Sequence, residues 1–100
     1  MREVLIRKTL VDGCVSEVVP IADRGLQYGD GIFRTMRWQS GVVLDWVLHY
    51  AVLQRDARTL GLFCPPAACW MADIQQLCGQ DVDVAVIKLM LTRGDGVRGY

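Results

Sequence analysis

The chain has 100 residues, of which 52% are hydrophobic and 22% charged, and this composition predicts one small folded domain rather than a disordered chain. Eleven basic residues balance eleven acidic ones, which argues against a nucleic-acid-binding domain with a basic surface. No apolar run approaches the roughly 20 residues that span a bilayer, and the first ten residues lack the apolar segment of a signal peptide. We therefore expect a cytoplasmic protein that binds neither nucleic acid nor a membrane.

Two short strands are predicted at the beginning of the chain. Residues 4–6 and 15–19 carry β-forming side chains, and they flank a turn at Asp12 and Gly13. Pro20 ends the second strand, because proline cannot donate a hydrogen bond to a sheet.

A loop and a hairpin are predicted next. The loop covers residues 22–31. Residues 32–38 alternate between two sets of side chains, which predicts a strand with two different faces. A turn at 39–41 leads into 42–44, the hairpin partner of that strand.

Two helices are predicted in the second half. Asp45 is the expected N-cap of a helix that runs to about residue 60 and ends at Gly61. Apolar side chains recur in this segment at steps of four and three residues and form one stripe: Trp46, Tyr50, Leu53, Ala57 and Leu60. Two prolines separate this helix from a second one over about 67–77.

The last predicted strand covers residues 84–92, and a glycine-rich loop follows it at 93–96. Strands at both ends with two helices between them indicate an α+β fold. We expect an antiparallel sheet with the two helices on one face.

Residues 23–37, with the sequence DRGLQYGDGIFRTMR, are the most informative segment of the chain. Three glycines in seven residues allow conformations that a side chain forbids, and they allow the backbone to approach a ligand closely. Tyr28 and Phe33 supply aromatic surface, and Arg37 supplies a fixed cation. Such a segment is better suited to lining a pocket than to filling a core.

This segment resembles the signature DRGxxYGDGxFxTxR of the class IV aminotransferases, which are the fold-type IV pyridoxal-phosphate enzymes. The subfamily pattern most similar to it is that of 4-amino-4-deoxychorismate lyase. The segments LxxH…LQRDARTLGL and IKLMLTRGDGVRGY also resemble the family and occur in the same order, so the resemblance covers nearly the whole chain. It implies the small N-terminal domain of such an enzyme and pyridoxal 5′-phosphate as the cofactor. It further implies cleavage of aminodeoxychorismate to 4-aminobenzoate and pyruvate, in the folate pathway, or transamination of amino acids.

The resemblance also implies where the substrate binds. Two of the implied residues, Arg98 and Tyr100, match positions that reach a carboxylate in relatives, often across a dimer interface. The substrate-binding candidates are Tyr28, Phe33, Arg37, Arg98 and Tyr100. For Tyr28 and Phe33 the alternative is ordinary core packing, and for Arg98 it is a solvated loop charge.

The first departure from the family concerns the lysine that forms an imine with the cofactor. In the family that lysine lies well beyond the RGY motif, whereas this chain ends at Tyr100. We therefore expect residues 1–100 to form a single N-terminal domain, with the C-terminal cofactor domain absent and no catalytic residue in this chain. Lys88 is the alternative imine former, but a lysine within a strand is more often a solvated side chain.

The second departure concerns the phosphate of the cofactor. The family's helix reads HxxRL, and its arginine grips the phosphate, whereas this chain reads HYAVL with Val52 in that slot. Valine offers no donor to a phosphate. Arg55, about one helical turn further on, is the candidate to compensate.

A metal site is not expected. The cysteines are Cys14, Cys64, Cys69 and Cys78, and neither a CxxC nor an HxxxH pair occurs. We expect buried or partly buried free thiols, with His49 as a packing and hydrogen-bonding residue.

Two functions follow from these observations. The first is the substrate-pocket domain of a pyridoxal-phosphate-dependent lyase-like or aminotransferase-like enzyme, inactive as this chain alone. The alternative is a degenerate, non-catalytic module for dimerisation or small-ligand binding. In both cases the expected partners are a second copy of the chain or a missing C-terminal domain, together with a small carboxylate-bearing ligand.

Overall fold

The computed structural model describes residues 7–79 and 81–95, and it confirms the α+β fold. Its elements in chain order are β1 (Leu10–Val11), β2 (Cys14–Val15), α1 (Arg24–Tyr28), β3 (Gly31–Gln39), β4 (Val42–Val43), α2 (Trp46–Leu60), α3 (Ala67–Cys78) and β5 (Val84–Thr92). β1 and β2 form a small antiparallel hairpin, and the remaining strands form an antiparallel sheet in the order β4-β3-β5. None of the helices described here is long and apolar enough to cross a membrane.

The long pair β3–β5 gives the sheet two different faces. The strands are in register along their whole length, from Gly31 opposite Thr92 to Gln39 opposite Val84. Because side chains alternate between the faces of a strand, every second residue of each strand lies on the same face. One face is buried under the helices, and the other is open.

The core lies between the buried face and the two long helices. Trp38 is fully buried, and its indole Nε1–H donates to the Val82 carbonyl over 2.8 Å. The side chains that pack around it come from both long strands, from β4 and from both long helices: Met36, Val43, Leu53, Ile74, Cys78, Ile87 and Leu89. The predicted arrangement of two helices on one face of the sheet is therefore confirmed.

α2 begins and ends where predicted, but the expected side-chain capping hydrogen bond at its beginning is not formed. Asp45 takes the N-cap position, but its backbone is left-handed (φ 58°) and its side chain makes no capping hydrogen bond. Gly61, also left-handed (φ 69°), ends the helix by donating its N–H to the last turn. The Tyr50 hydroxyl donates to the Pro65 carbonyl over 3.0 Å, which fixes the connection to α3.

The first predicted hairpin is shorter than expected. Its turn lies at Asp12 and Gly13, but β2 ends at Val15 instead of continuing to residue 19. The reason is local, because the Ser16 hydroxyl bonds to the backbone of Val18 and turns the chain away from the sheet. The predicted strand at 4–6 lies outside the described residues.

A short helix, α1, replaces part of the predicted loop at 22–31. The Asp23 carboxylate caps it by accepting from the backbone N–H groups of Gly25 (2.8 Å) and Leu26 (3.2 Å). Gly29 ends it in the left-handed conformation (φ 66°). The aspartate and glycine that suggested a loop are thus the two caps of a single-turn helix.

Candidate functional site

Asp30 joins the two glycine-rich segments of the chain. Its Oδ2 atom accepts from Arg93 Nε over 2.8 Å and from Arg24 Nε over 3.0 Å. The hydrogen bond from Arg93, and then that from Arg24, lowers the pKa of the Asp30 carboxyl below its usual range. The Arg24 N–H also donates to the Gly94 carbonyl, and the Arg93 N–H donates to the Asp30 carbonyl. The loop before β3 is therefore fixed to the loop after β5.

Arg93 extends this connection to the helical layer. Its Nη2 atom donates to the Leu60 carbonyl over 2.6 Å, at the last residue of α2. A cation at this end of a helix also complements the helix dipole. One guanidinium thus connects the segment after β5, the segment before β3 and the end of α2.

Two glycines permit this close approach. A Cβ atom on Gly31 would lie 2.7 Å from the Leu91 carbonyl oxygen, and one on Gly25 would overlap the Thr92 side chain. The Thr92 hydroxyl, in turn, donates to Asp23 Oδ2 over 2.9 Å. The glycines of the DRG and DGxF motifs are thus explained by contact with the end of β5.

Tyr28 is presented at the surface by α1. Its side chain is 70% exposed, and the Arg24 guanidinium lies 4.7 Å from the centre of its ring. Core packing is therefore wrong for Tyr28, and the ring is available to a ligand or a partner.

The open face of the sheet carries the other described candidates. We call it the open sheet face, and its long-strand members are Phe33, Thr35, Arg37, Gln39, Val84, Val86, Lys88 and Met90. Phe33 is 61% exposed, so core packing is wrong for it as well. The Lys88 ammonium lies 4.7 Å from the centre of the Phe33 ring, which is the distance of a cation–π contact.

The open sheet face is positively charged and partly apolar. Arg37 and Lys88 are its two cations, and no carboxylate is among its described members. Phe33 supplies a flat apolar surface beside Lys88. This combination suits an anion that carries an apolar or aromatic group. The sequence motif singled out Phe33 and Arg37, whereas Lys88 joins them only through the pairing of β3 with β5.

The predicted substrate residues do not all meet. Phe33 is two residues from the start of β3, but Arg37 lies four residues further along, about 13 Å away at 3.3 Å per residue. Tyr28 belongs to α1, which ends three residues before β3 begins. Arg98 and Tyr100 lie outside the described residues.

Position 52, where the resemblance implies a phosphate-binding arginine, offers no donor. Val52 is half-buried in α2. Arg55, the candidate to compensate, pairs with the neighbouring Asp56 (Nη2 to Oδ1, 3.2 Å), and 69% of its side chain is exposed. The guanidinium of Arg55 is therefore engaged away from the core side of the helix.

A different arginine contacts α2 from the sheet. Arg34 lies on the helix-facing side of β3, and its Nε and Nη2 atoms both donate to His49 Nδ1, over 3.2 and 2.9 Å. The contact is half-buried. The motif gave no reason to single out Arg34, because it occupies a variable position of the signature.

The cysteines differ in accessibility. Cys78 is buried, and burial raises the pKa of its thiol. Cys64 is half-buried, whereas Cys14 and Cys69 are exposed, so the expected burial is wrong for these two. In the part of the chain that the structure covers, no three His, Cys, Asp or Glu side chains cluster as metal ligands would.

Comparison with known proteins gives consistent relatives. No family model matches the chain. It is 32% identical to an aminodeoxychorismate lyase of Vibrio harveyi over 92 residues, which are 90% of this chain and 33% of the relative. It is 35% identical to a protein assigned as a branched-chain-amino-acid aminotransferase of Methanocaldococcus jannaschii over 83 residues, which are 81% of this chain and 29% of the relative. The chain thus spans about a third of the length of the curated relatives it matches.

Solved structures similar to this chain are of the same kinds as its sequence relatives. A 4-amino-4-deoxychorismate lyase from Pseudomonas aeruginosa superposes with a TM-score of 0.74 at 35% identity, over 89% of this chain and 32% of the lyase. A fold IV transaminase from Curtobacterium pusillum gives 0.68 at 33% identity, over 84% and 30%. A pyridoxal-phosphate-bound aminotransferase from Mycobacterium tuberculosis also gives 0.68, over 85% and 31%, but at 24% identity it supports the fold alone.

Proposed function

Because this chain is related in sequence and in fold to the class IV aminotransferases, we propose that it is the substrate-pocket domain of a pyridoxal-phosphate-dependent enzyme. The proposed reaction is of the aminodeoxychorismate lyase or aminotransferase type, and the substrate carries a carboxylate. The observation that carries the proposal is the open sheet face, where Phe33, Arg37 and Lys88 lie exposed on two paired strands.

Each of these residues has a distinct binding role in the proposal. The Arg37 guanidinium offers two parallel N–H groups that match the geometry of a carboxylate. Lys88 supplies a point charge, and its contact with Phe33 keeps the ammonium over the ring. The ring itself provides a surface on which a cyclic substrate stacks. When bound, pyridoxal phosphate supplies the electron sink for bond cleavage at the substrate.

The segment fixed by Asp30 orients these groups. Gly31 begins β3, and the hydrogen bonds of Asp30 with Arg24 and Arg93 hold that point against the end of β5. Tyr28 is held beside the same point by the end of α1. We propose that this rigidity keeps the aromatic surfaces in place when substrate binds.

Residues 1–100 by themselves are proposed to form no cofactor imine. Lys88 is exposed and lies over Phe33, an environment that does not desolvate an amine in the way an imine-forming lysine requires. The test is incubation with pyridoxal phosphate, reduction with borohydride and intact mass measurement. A stoichiometric adduct on Lys88 would contradict this part of the proposal.

A non-catalytic dimerisation or ligand-binding module is the second candidate, and two observations favour it. Val52 takes the slot of the phosphate arginine. Large apolar side chains such as Val47 (84% exposed) and Phe63 (82% exposed) also stand at the surface, where a second copy of the chain could cover them. Sedimentation at tens of micromolar tests the dimerisation role, and a monomer would count against that role.

Ligand binding at the open sheet face is tested by titration with 4-aminobenzoate, an aromatic carboxylate. Backbone amide shifts in NMR spectra should map to β3 and β5. Arg37→Gln should weaken binding about tenfold, as expected for the loss of a charge-assisted contact. The matched control is Arg58→Gln, in the exposed part of α2. Equal effects of the two substitutions would count against this site.

A further inference from the structure

We propose that Arg34 and His49 form a binding site for a phosphate monoester, on the side of the sheet opposite the open sheet face. An aromatic phosphate monoester is one source of such a group, and a free phosphate is another. This site is independent of the carboxylate site proposed above, because side chains at positions 34 and 37 lie on opposite faces of β3.

Arg34 carries a half-buried positive charge. Arginine stays protonated in proteins, and a cation that is partly withdrawn from water is stabilised by an anion beside it. The salt bridges of residues 7–79 and 81–95 join Arg24 and Arg93 to Asp30, and Arg55 to Asp56. Arg34 has no such partner in that part of the chain. A half-buried positive charge therefore lacks a counter-ion that an anionic ligand would supply.

The Arg34 guanidinium has N–H groups that bond to no protein atom described here. Nε–H and one N–H of Nη2 point to the same acceptor, His49 Nδ1. A guanidinium has five N–H groups, so the other three have no protein partner among the described residues. Trp70 Nε1 is buried without a hydrogen-bond partner, but no nitrogen of Arg34 is in that condition. The remaining donors are therefore accessible to a ligand.

His49 accepts the hydrogen bonds of Arg34 through Nδ1. Because arginine can only donate, Nδ1 must be the acceptor, and the neutral ring then carries its proton on Nε2. A neutral imidazole holds the guanidinium in place without neutralising it. The pair thus keeps a full positive charge and an oriented fork, which matches the bidentate geometry of a phosphate.

Arg34 contacts α2 close to position 52. His49 and Val52 are three residues apart, so their side chains are neighbours on the helix surface. Arg34 therefore reaches, from the sheet, the neighbourhood where an arginine at position 52 would stand.

The test uses the wild-type protein first, so that it does not depend on the folding of a variant. Inorganic phosphate, pyridoxine 5′-phosphate and pyridoxine are titrated separately, and NMR spectra follow the Nε–Hε resonance of Arg34 and the imidazole resonances of His49. Pyridoxine has no aldehyde, so imines with surface lysines do not interfere. Both phosphates should shift these resonances saturably, and pyridoxine should not.

The relative affinities identify the source of the phosphate. Binding of pyridoxine 5′-phosphate about tenfold more tightly than inorganic phosphate supports a monoester that carries an aromatic group, whereas equal affinities support a free phosphate. Tenfold corresponds to the weaker end of one charge-assisted contact. Unmoved Arg34 resonances, or binding of pyridoxine as tight as that of its phosphate ester, would overturn the proposal.

Substitutions then separate this site from the open sheet face. Arg34→Gln should weaken phosphate binding at least about tenfold, and Arg34→Lys, which keeps the charge but loses the fork, should weaken it less. The matched control Arg55→Gln should bind phosphate as the wild type does, and Arg34→Gln should leave 4-aminobenzoate binding unchanged. Phosphate binding by Arg34→Gln within about twofold of the wild type would also overturn the proposal.

Discussion

Asp30 and Arg93 are 63 residues apart in the sequence, yet the Arg93 Nε–H donates to Asp30 Oδ2 over 2.8 Å. The pair connects the loop that precedes β3 with the loop that follows β5, and the two strands run side by side between these loops. The geometry of both motif segments therefore depends on one partly buried carboxylate, 18% of whose side chain is exposed.

The first prediction is that Asp30→Asn lowers the stability of the fold. The substitution removes both ion pairs of Asp30 and leaves two guanidinium groups close together. Urea unfolding followed by tryptophan fluorescence should show a lower midpoint. The matched control is Asp56→Asn, which breaks one exposed pair between adjacent residues and should stay close to the wild type. Equal midpoints for the two variants would contradict a structural role for Asp30.

The second prediction concerns the stability of the fold at low pH. The pKa of Asp30 is lowered in the folded protein by Arg93 and Arg24, so in acid solution, between the folded and unfolded pKa values, folding releases a proton from this carboxyl. Its stabilising contribution is complete above the ordinary aspartate pKa of about 3.9 and is lost as the pH falls through the lower pKa of the folded state. Urea midpoints measured between neutral pH and a pH of about 2 should therefore fall less steeply for Asp30→Asn than for the wild type. Parallel curves for the two proteins would be the contrary result.

The third prediction is that Gly31→Ala destabilises the protein through close contact rather than through backbone strain. Its Cβ would lie 2.7 Å from the Leu91 carbonyl oxygen, and backbone cannot move aside as a flexible side chain can. We expect a loss of about 1–3 kcal/mol in the free energy of unfolding, as for overpacking elsewhere.

The control for Gly31→Ala is Gly41→Ala. Gly41 has a left-handed backbone (φ 87°), but no atom lies within 4 Å of the position that a Cβ would take there, so this substitution introduces strain without overlap. The unfolding energies of the two variants should differ, with Gly31→Ala the less stable. A Gly31→Ala protein as stable as the wild type would show that the close approach at the end of β5 is unimportant.

The fourth prediction orders the thiols by reactivity. Cys14 and Cys69 are exposed and should be alkylated rapidly by iodoacetamide in the native protein. Cys78 is buried and its thiol pKa is raised by burial, so it should react only after unfolding. Peptide mass spectrometry at timed intervals measures this order, and urea provides the reference in which all thiols react. Early alkylation of Cys78 would contradict the described core.

Periodicity in the sequence predicted the long elements well. The stripe of apolar residues at steps of four and three gave the helix Trp46–Leu60, and the β-rich run gave the strand Val84–Thr92. These signals are informative because a repeating apolar pattern has only one way of facing a core. Short elements were less predictable, because α1 and the end of β2 depend on a few local hydrogen bonds of Asp23 and Ser16.

The sequence by itself determined the α+β arrangement, the resemblance to the class IV aminotransferases and the presence of Phe33 and Arg37 on one strand face. Only the tertiary structure brought Lys88 over Phe33, Arg34 to His49 and Arg93 to Asp30. Strand pairing and helix docking decide such contacts, because they fix which distant residues share a face. No local pattern of residue types contains that information.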